Sequence, residues 1–483
     1  MNLVHRLLND VRRGLASPNR NARSAVVLGR LLGLAFVVCF GTGLYSHFLQ
    51  EPLPWMHFPT RPTQLYQLTQ GLHITAGIAI IPLLLGKLNT VMPALAQDPP
   101  VRGLLHLLER ASIAVFVSAA IVQVMTGLVN TYQWYPWPFP FKQTHYALSY
   151  VLIGSLAIHI GVKLRIIARY WRKRDSYDTD GRFVEDRTVG SELVAPVLAD
   201  DARAPRGLTG RVMRWMDGAA DATQVETQAE RADAARASRL ADDERASAPD
   251  VTGEDWIADA PVSEGVEHLP VSDPAPDPVR VGRRQRLARR GFFAGIGAAV
   301  AGVVVLTVGQ SNTLGVPFNV FGPRQRGIGP NDLPVNRTAK AAGVLETAMA
   351  DDWGLTIAGN GIRKRFSRDD LRAMGLVDAD LPISCVEGWS QMGSWRGVRM
   401  RDVVGLVGAP PASRVRVTSL EQHGGYRIMD MGPEYTSDPT TLIALELNGS
   451  DLDIDHGYPA RIIAPGRPGV LQTKWLASIE VIS

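Results

Sequence analysis

Four stretches without a charged residue, at 31–50, 65–86, 111–129 and 146–162, constrain the first third of this 483-residue chain more than any other feature. Each is near the ~20 residues that an α-helix needs to cross the hydrocarbon core of a bilayer. Basic residues flank them unevenly. Arg12, Arg13, Arg20 and Arg23 precede the first, Lys87, Arg102 and Arg110 lie between the second and third, and a cluster from Lys163 to Arg174 follows the fourth. All three clusters fall on one side, which the positive-inside rule makes cytoplasmic. Trp55 and the run Tyr132, Trp134, Tyr135, Trp137, Phe139 and Phe141 fall on the other, as an interfacial aromatic belt requires. The reading is four transmembrane helices that start and finish inside.

After the fourth helix, residues 175–279 are rich in Asp, Ala, Arg, Ser and Pro, with sparse and aperiodic apolar residues. Such a composition buries too little surface to offset its ordering entropy, so a disordered cytoplasmic linker is expected. A fifth apolar stretch, 291–310, is milder and rich in Gly and Ala, and Arg283, Arg284, Arg286, Arg289 and Arg290 precede it. That flank is either the ordinary basic edge of an inward-starting helix or, as Arg289, Arg290, Gly291, Phe292, Phe293 resembles, a twin-arginine signal read by the export machinery for folded proteins. Both readings put the residues after 310 outside the membrane, anchored by a fifth helix. The formal charge of +4 does not point to nucleic acid, because the basic clusters border apolar segments and form no free patch.

From 316 to 483, short β-rich stretches at 355–358, 414–419, 460–464 and 478–482 alternate with Gly and Pro turns. Ser367 followed by Asp369 and Asp370 predicts a capped helix start, and a second helix is expected near Met400. This is an α+β domain. It holds one of the chain's two cysteines, Cys385, while Cys39 lies in the first apolar segment, so the two are not expected to pair. A lone thiol in an exported domain is an intermolecular disulfide, an inert buried side chain or a metal ligand, and spacing does not choose among these.

The run Ile383, Ser384, Cys385, Val386, Glu387, Gly388, Trp389, Ser390, with Trp395, Arg396 and Gly397, resembles the cofactor-cysteine segment of the sulfite-oxidase superfamily, in particular its bacterial methionine sulfoxide reductase branch. His456, Gly457, Tyr458, Pro459, Ala460, Arg461, then Pro465, Gly466, Lys474, Trp475 and Leu476, is similar to the closing motif of the same family. The resemblance, over about 331–483, implies a molybdopterin whose molybdenum is bound by the Cys385 thiolate, as ligand and not nucleophile. A soft thiolate suits a metal already held by dithiolene sulfurs. It further implies that Arg461 and Lys474 hold the anionic end of the pterin, through a guanidinium fork and a point charge. His456 stands at a cofactor-contact position where the compared relative has an amide, which leaves its role open. Ser419 and Tyr426 either contact cofactor or substrate or simply satisfy a Gly-rich turn. Since the chain ends eight residues after Trp475, a monomeric, reductase-like module without the family's dimerisation domain is expected.

Histidines inside apolar segments call for an explanation, because polar groups in a bilayer are costly. His145 and His159 are fourteen residues apart on the fourth segment, about 21 Å along one helix face. That spacing resembles formate dehydrogenase gamma subunits and cytochrome b561-type proteins, in which both histidines bind haem. Bis-histidine haem b takes one imidazole from each of two facing helices. By depth, His73 is the mate for His145. His106 is the mate for His159, or else a headgroup-level residue beside Glu109 and Arg110. One or two haems are therefore expected.

Together these readings describe a multidomain protein: an N-terminal all-α four-helix transmembrane bundle (24–172), a disordered linker (173–282), a twin-arginine-like flank with a fifth transmembrane helix (283–311), and a C-terminal α+β sulfite-oxidase-type molybdopterin domain (316–483). The expected function is a membrane-anchored molybdenum oxidoreductase acting outside the cytoplasmic membrane on a small S- or N-oxide or related sulfur compound. Haem b would exchange its electrons with membrane quinone or quinol, in a direction the residues leave open. The alternative is a metal-free protein of the same fold with a binding or sensory role. A bundle that binds no haem and serves only as an anchor is a third.

Overall fold

The computed structural model describes residues 22–95, 101, 103–171, 278–310, 313–322 and 328–482. Among them, the long helices are α1 (Ala22–Gln50), α2 (Leu65–Leu95), α3 (Leu104–Thr131), α4 (Phe141–Trp171) and α5 (Pro278–Val305). The first four contain apolar spans of 26–28 residues with mean hydropathy between 1.7 and 2.1, long enough to cross a bilayer. In α5 the apolar part is only Arg290–Val305, about 24 Å of rise, so it falls short of the other four as a membrane span. The helix also begins earlier than expected, taking in 278–282, with Pro278 at the first position, where its missing N–H costs nothing. The rest of the expected linker, up to 277, lies outside the described residues.

The chain divides into two compact units. The first gathers the start of α1, the end of α2, the end of α4 and the start of α5. In it Ile296 of α5 sits where a side chain at Gly86 of α2 would be, so the missing side chain permits the contact. Phe292 is buried.

The second unit holds the remaining lengths of α1–α4 together with the C-terminal domain. Aromatic edges tie its helices together: Phe36 meets Phe116 at 5.6 Å and Phe40 meets Tyr150 at 5.7 Å between ring centroids.

The C-terminal domain is built from two five-stranded sheets. Its strands are β1 (Leu355–Gly359), β2 (Ile362–Phe366), β3 (Val377–Ser384), β4 (Ser390–Arg399), β5 (Arg414–Ser419), β6 (Ile428–Met431), β7 (Leu442–Leu447), β8 (Ser450–Asp451), β9 (Arg461–Ile463) and β10 (Leu476–Ile482). One sheet runs β2-β1-β10-β5-β6; the other runs β3-β4-β7-β8, with β9 also paired to β7. Among the described residues only β1 and β10 pair in parallel. The β7 sequence LIALEL reads as nearly continuous apolar because both its faces are buried. Ile443 and Leu445 join the core between the sheets with Leu355, Val417, Ile462 and Ile479, while Leu442 and Ala444 face the outer cluster around Leu381, Ile383, Trp389 and Trp395. The expected helix starts hold: Ser367 and Asp370 form a reciprocal capping box, and a helix spans Met400–Gly405.

Candidate functional site

Cys385 follows the last residue of β3, in the turn that leads to β4, and is 1% exposed. The turn closes through Cys385 N–H to the Trp389 carbonyl at 2.9 Å and Gly388 N–H to the Cys385 carbonyl at 3.1 Å. Gly388 has φ +99°, which favours glycine, and a Cβ there would lie 2.5 Å from Ile74 Cγ1 of α2. The tip of the cysteine turn is therefore seated on the apolar helix α2. Gln70 Nε2 donates to the Val386 carbonyl at 2.7 Å, and Gln133, in the α3–α4 connection, donates to Glu387. Trp389 Nε1 donates to the other Glu387 oxygen at 3.1 Å, so that carboxylate locks the turn from both sides.

Three buried cations stand in the segment that ends the domain. Arg461, on β9, is fully buried and donates to the carbonyls of His456 at 3.0 Å and Gln472 at 3.3 Å, its guanidinium 5.0 Å from the Trp395 ring centroid. Lys474 donates to the carbonyls of Arg337 at 3.0 Å and Asp455 at 2.7 Å. Arg467, 3% exposed, donates to the Asp430 carbonyl, yet its Nε and Nη1 find no partner among the described residues. None of the three makes an ion pair among the described residues. Burial pushes Arg461 down to about 9 and Arg467 down to about 10; burial and the charge of Arg461 bring Lys474 down to about 7, against a smaller pull upward from Asp455, Cys385 and Glu421. Arg461 is held by carbonyls alone, and Arg467 keeps two buried N–H groups without a hydrogen-bond partner among the described residues, an arrangement with donors to spare for an anion.

His456 occupies this cluster as a neutral residue. Its Nε2 bonds the Leu333 carbonyl at 3.1 Å, and burial, with Arg461 and Lys474 nearby, holds its pKa down near 3. The Ser419 hydroxyl donates to the Lys474 carbonyl at 2.7 Å and accepts from the Glu421 N–H at 3.1 Å, so it braces the Lys474 segment. Trp475, at φ +50°, turns the chain between Lys474 and β10, a conformation a bulky residue adopts only when its surroundings enforce it. Its Nε1 is anchored on the Ile454 carbonyl at 2.7 Å. Tyr426 bonds Lys142 of α4 and Gln50 of α1 at 3.2 and 3.3 Å.

In the helical part, His73 of α2 and His145 of α4 face each other with ring centroids 6.3 Å apart and planes 73° apart. His73 Nδ1 lies 2.8 Å from the Cys39 carbonyl, and His145 Nδ1 lies 2.8 Å from Thr126 Oγ1. An Nδ1 engaged in this way fixes the ring and leaves Nε2 for a metal. Small residues open the space around them: a Cβ on Gly43 would lie 2.8 Å from the His73 ring, and one on Gly127 would lie 3.5 Å from His145. His159 stacks on Phe116 of α3 at 6.0 Å, and His106 is half-buried near the start of α3. Among the described residues no three of His, Cys, Asp and Glu converge.

A cavity of about 570 Å³ is lined both by Cys39, Gly43, His73, Gly127 and His145 and by Arg337, Glu387, Ser419, Tyr426 and Lys474. Cofactor-side and histidine-side residues thus share one space. Sequence reasoning misses Arg467, Gln70, Gln133 and Thr126 as site residues. A glutamine or threonine inside an apolar segment is the available signal for Gln70 and Thr126; an unmatched arginine between two motif residues is the signal for Arg467.

Residues 342–483 match the family model described as oxidoreductase molybdopterin binding domain. The chain is 28% identical over 204 residues to a sulfite oxidase of Arabidopsis thaliana, covering 35% of this chain and 52% of that protein. It is 31% identical over 117 residues to YedZ1 of Azospira oryzae, a provisionally named protein-methionine-sulfoxide reductase subunit, covering 24% of this chain and 43% of that one. It is 38% identical over 96 residues to a nitrate reductase of Hordeum vulgare, covering 18% and 11%. The chain spans about half the length, or less, of each of these relatives.

Proposed function

We propose, for a chain whose C-terminal domain is an oxidoreductase molybdopterin-binding domain, a membrane-anchored enzyme that moves an oxygen atom to or from a small S- or N-oxide or related sulfur compound and exchanges the electrons with membrane quinone through haem b. The observation that carries this reading is the seating of the buried Cys385 turn on α2, beside the helix turn that bears His73, the partner of His145.

The residues fit both groups. Cys385 is a buried thiol in a domain that also buries Arg461, Lys474 and Arg467, the last with two N–H groups unmet, which supports a thiolate ligand to molybdenum with these three cations holding the anionic pterin. When bound, the cofactor supplies two-electron oxygen-atom transfer. His456 stays neutral and, through its carbonyl, orients Arg461; Ser419 and Trp475 fix the backbone on which Lys474 stands. For the imidazole pair, two metal–nitrogen bonds of about 2.0–2.1 Å plus the ring radii give a centroid separation of about 6 Å, in agreement with the 6.3 Å between His73 and His145. His106 and His159 are the ligands proposed for a second haem.

The domain division at 24–172, 173–282, 283–311 and 316–483 belongs to this reading, as does a cytoplasmic N-terminus with the C-terminal domain outside the membrane. The gathering of the basic-flanked ends of α1, α2 and α4 with the start of α5 in one unit supports that topology. Export of the folded domain by the twin-arginine machinery and anchoring by α5 complete it. The test is optical. In purified membrane protein, a reduced haem b band that bleaches on adding S-oxides or N-oxides, or grows on adding sulfite, is expected and also gives the direction; a protein with neither metal, or a band indifferent to all three, contradicts the reading.

A further inference from the structure

Gln70 is a polar side chain in an apolar helix, 5% exposed and three residues before His73. Its Nε2 is spent on the carbonyl of Val386, the residue after Cys385. Its Oε1 is buried and has no hydrogen-bond partner among the described residues, and Gln70 lines the cavity that also reaches His73, His145 and Lys474. An acceptor left unmet in the interior is costly, so the geometry keeps this amide for a purpose other than packing. One side chain thus touches the turn that carries the thiol, the helix that carries an imidazole, and the space between the two. Gly388 against Ile74 and Gln133 on Glu387 hold the same contact from its flanks.

We infer that this contact is the junction by which electrons pass between the His73–His145 centre and the Cys385 centre, and that Gln70 is the positioning residue that holds it closed. The inference rests on the function proposed above. The covalent and hydrogen-bonded route is short: Cys385 to the Val386 carbonyl, across the hydrogen bond to the Gln70 amide, then three residues along α2 to His73. In the reductive direction a quinol gives up two electrons and two protons and becomes a quinone; the electrons cross the junction one at a time. An S-oxide then takes both with two protons, its S–O bond breaking to leave sulfide and water. Oxidation of sulfite runs the same balance in reverse.

The test uses the full chain in membranes or detergent, with molybdenum and haem quantified first. Wild type and Gln70→Leu are compared in two assays: oxidation of the reduced haem on rapid mixing with methionine sulfoxide, or its reduction by sulfite; and the ratio of turnover driven by a soluble quinol to turnover driven by reduced benzyl viologen. The expected result is unchanged metal contents with haem exchange and the quinol-to-dye ratio both falling about tenfold or more, since a small displacement of reacting partners has effects of that size. A merely structural role would lower both turnovers together and keep the ratio, and that result overturns the junction. Independently, a Cβ on Gly388 lies 3.4 Å from Ile74 Cβ, close to the ~3.5–4.5 Å a disulfide needs, so the Ile74→Cys, Gly388→Cys pair should cross-link on oxidation. Absence of that cross-link overturns the docked contact. Wild-type protein without molybdenum or haem removes the premise instead, and is seen in the metal analysis before any rate is measured.

Discussion

His73 and His145 stand with ring centroids 6.3 Å apart across the bundle, each with its Nδ1 already engaged, by the Cys39 carbonyl and by the Thr126 hydroxyl. Loss of either imidazole should remove the haem proposed to lie between them. His73→Ala and His145→Ala are each predicted to abolish one haem equivalent by pyridine haemochrome while leaving molybdenum in place. Thr126→Val should keep the haem but weaken it by about 10–100-fold, as loss of a ligand's hydrogen-bond partner does. Full haem content in both alanine variants would refute the pairing.

Arg461 is the second quantity to test. Its guanidinium satisfies the carbonyls of His456 and Gln472 in a fully buried position. Arg461→Met leaves two buried acceptors unmet, at about 1–3 kcal/mol each, so denaturation of the C-terminal domain should shift by about 2–6 kcal/mol. Pterin content, read as the fluorescence of its oxidised form, should fall with it. A stable variant with full pterin would deny Arg461 its anion role.

These two outcomes show what is legible in the sequence. The strands at 355–358, 414–419, 460–464 and 478–482 and the Ser367 cap are readable because period, turn residues and caps are local signals, and the structure has all of them. Cys385, Arg461 and Lys474 are readable through motif context. Gln70, Gln133 and Arg467 are not, because the importance of the first two comes from groups that approach them across 316 and 254 residues of chain, and that of the third from donors left without a hydrogen-bond partner. The fifth membrane helix is expected to reach 310, but the helix stops at Val305 and gives way to a short 3₁₀ turn at Val308–Gln310. A glycine- and alanine-rich run does not announce its own end.

His456 should give the domain an acid limb. It is held neutral with a pKa near 3, well below its value in the unfolded chain, so the unfolded state binds more protons between about pH 6.5 and 3 and stability falls as pH drops through that window. The slope reaches at most about 1.4 kcal/mol per pH unit. His456→Asn is predicted to flatten that limb in thermal melts of the full chain between pH 7 and 4; an unchanged slope would contradict a neutral His456.

A side chain at Gly388 should cost stability while Ile74 is in place. With φ +99° and Ile74 Cγ1 only 2.5 Å from where a Cβ would stand, Gly388→Ala carries both backbone and steric cost, about 1–3 kcal/mol. Ile74→Ala in the same chain should restore the steric part alone, so a thermal-shift cycle is predicted to be partly, not fully, compensating. Full additivity would mean the turn does not rest on α2.

The most direct measurement is the molybdenum content of Cys385→Ser, with haem in the same sample as the internal standard. Loss of most of the molybdenum and of all oxygen-atom transfer, with haem unchanged, is the predicted result. Wild-type molybdenum and turnover with a hydroxyl at that position would contradict the account at its centre.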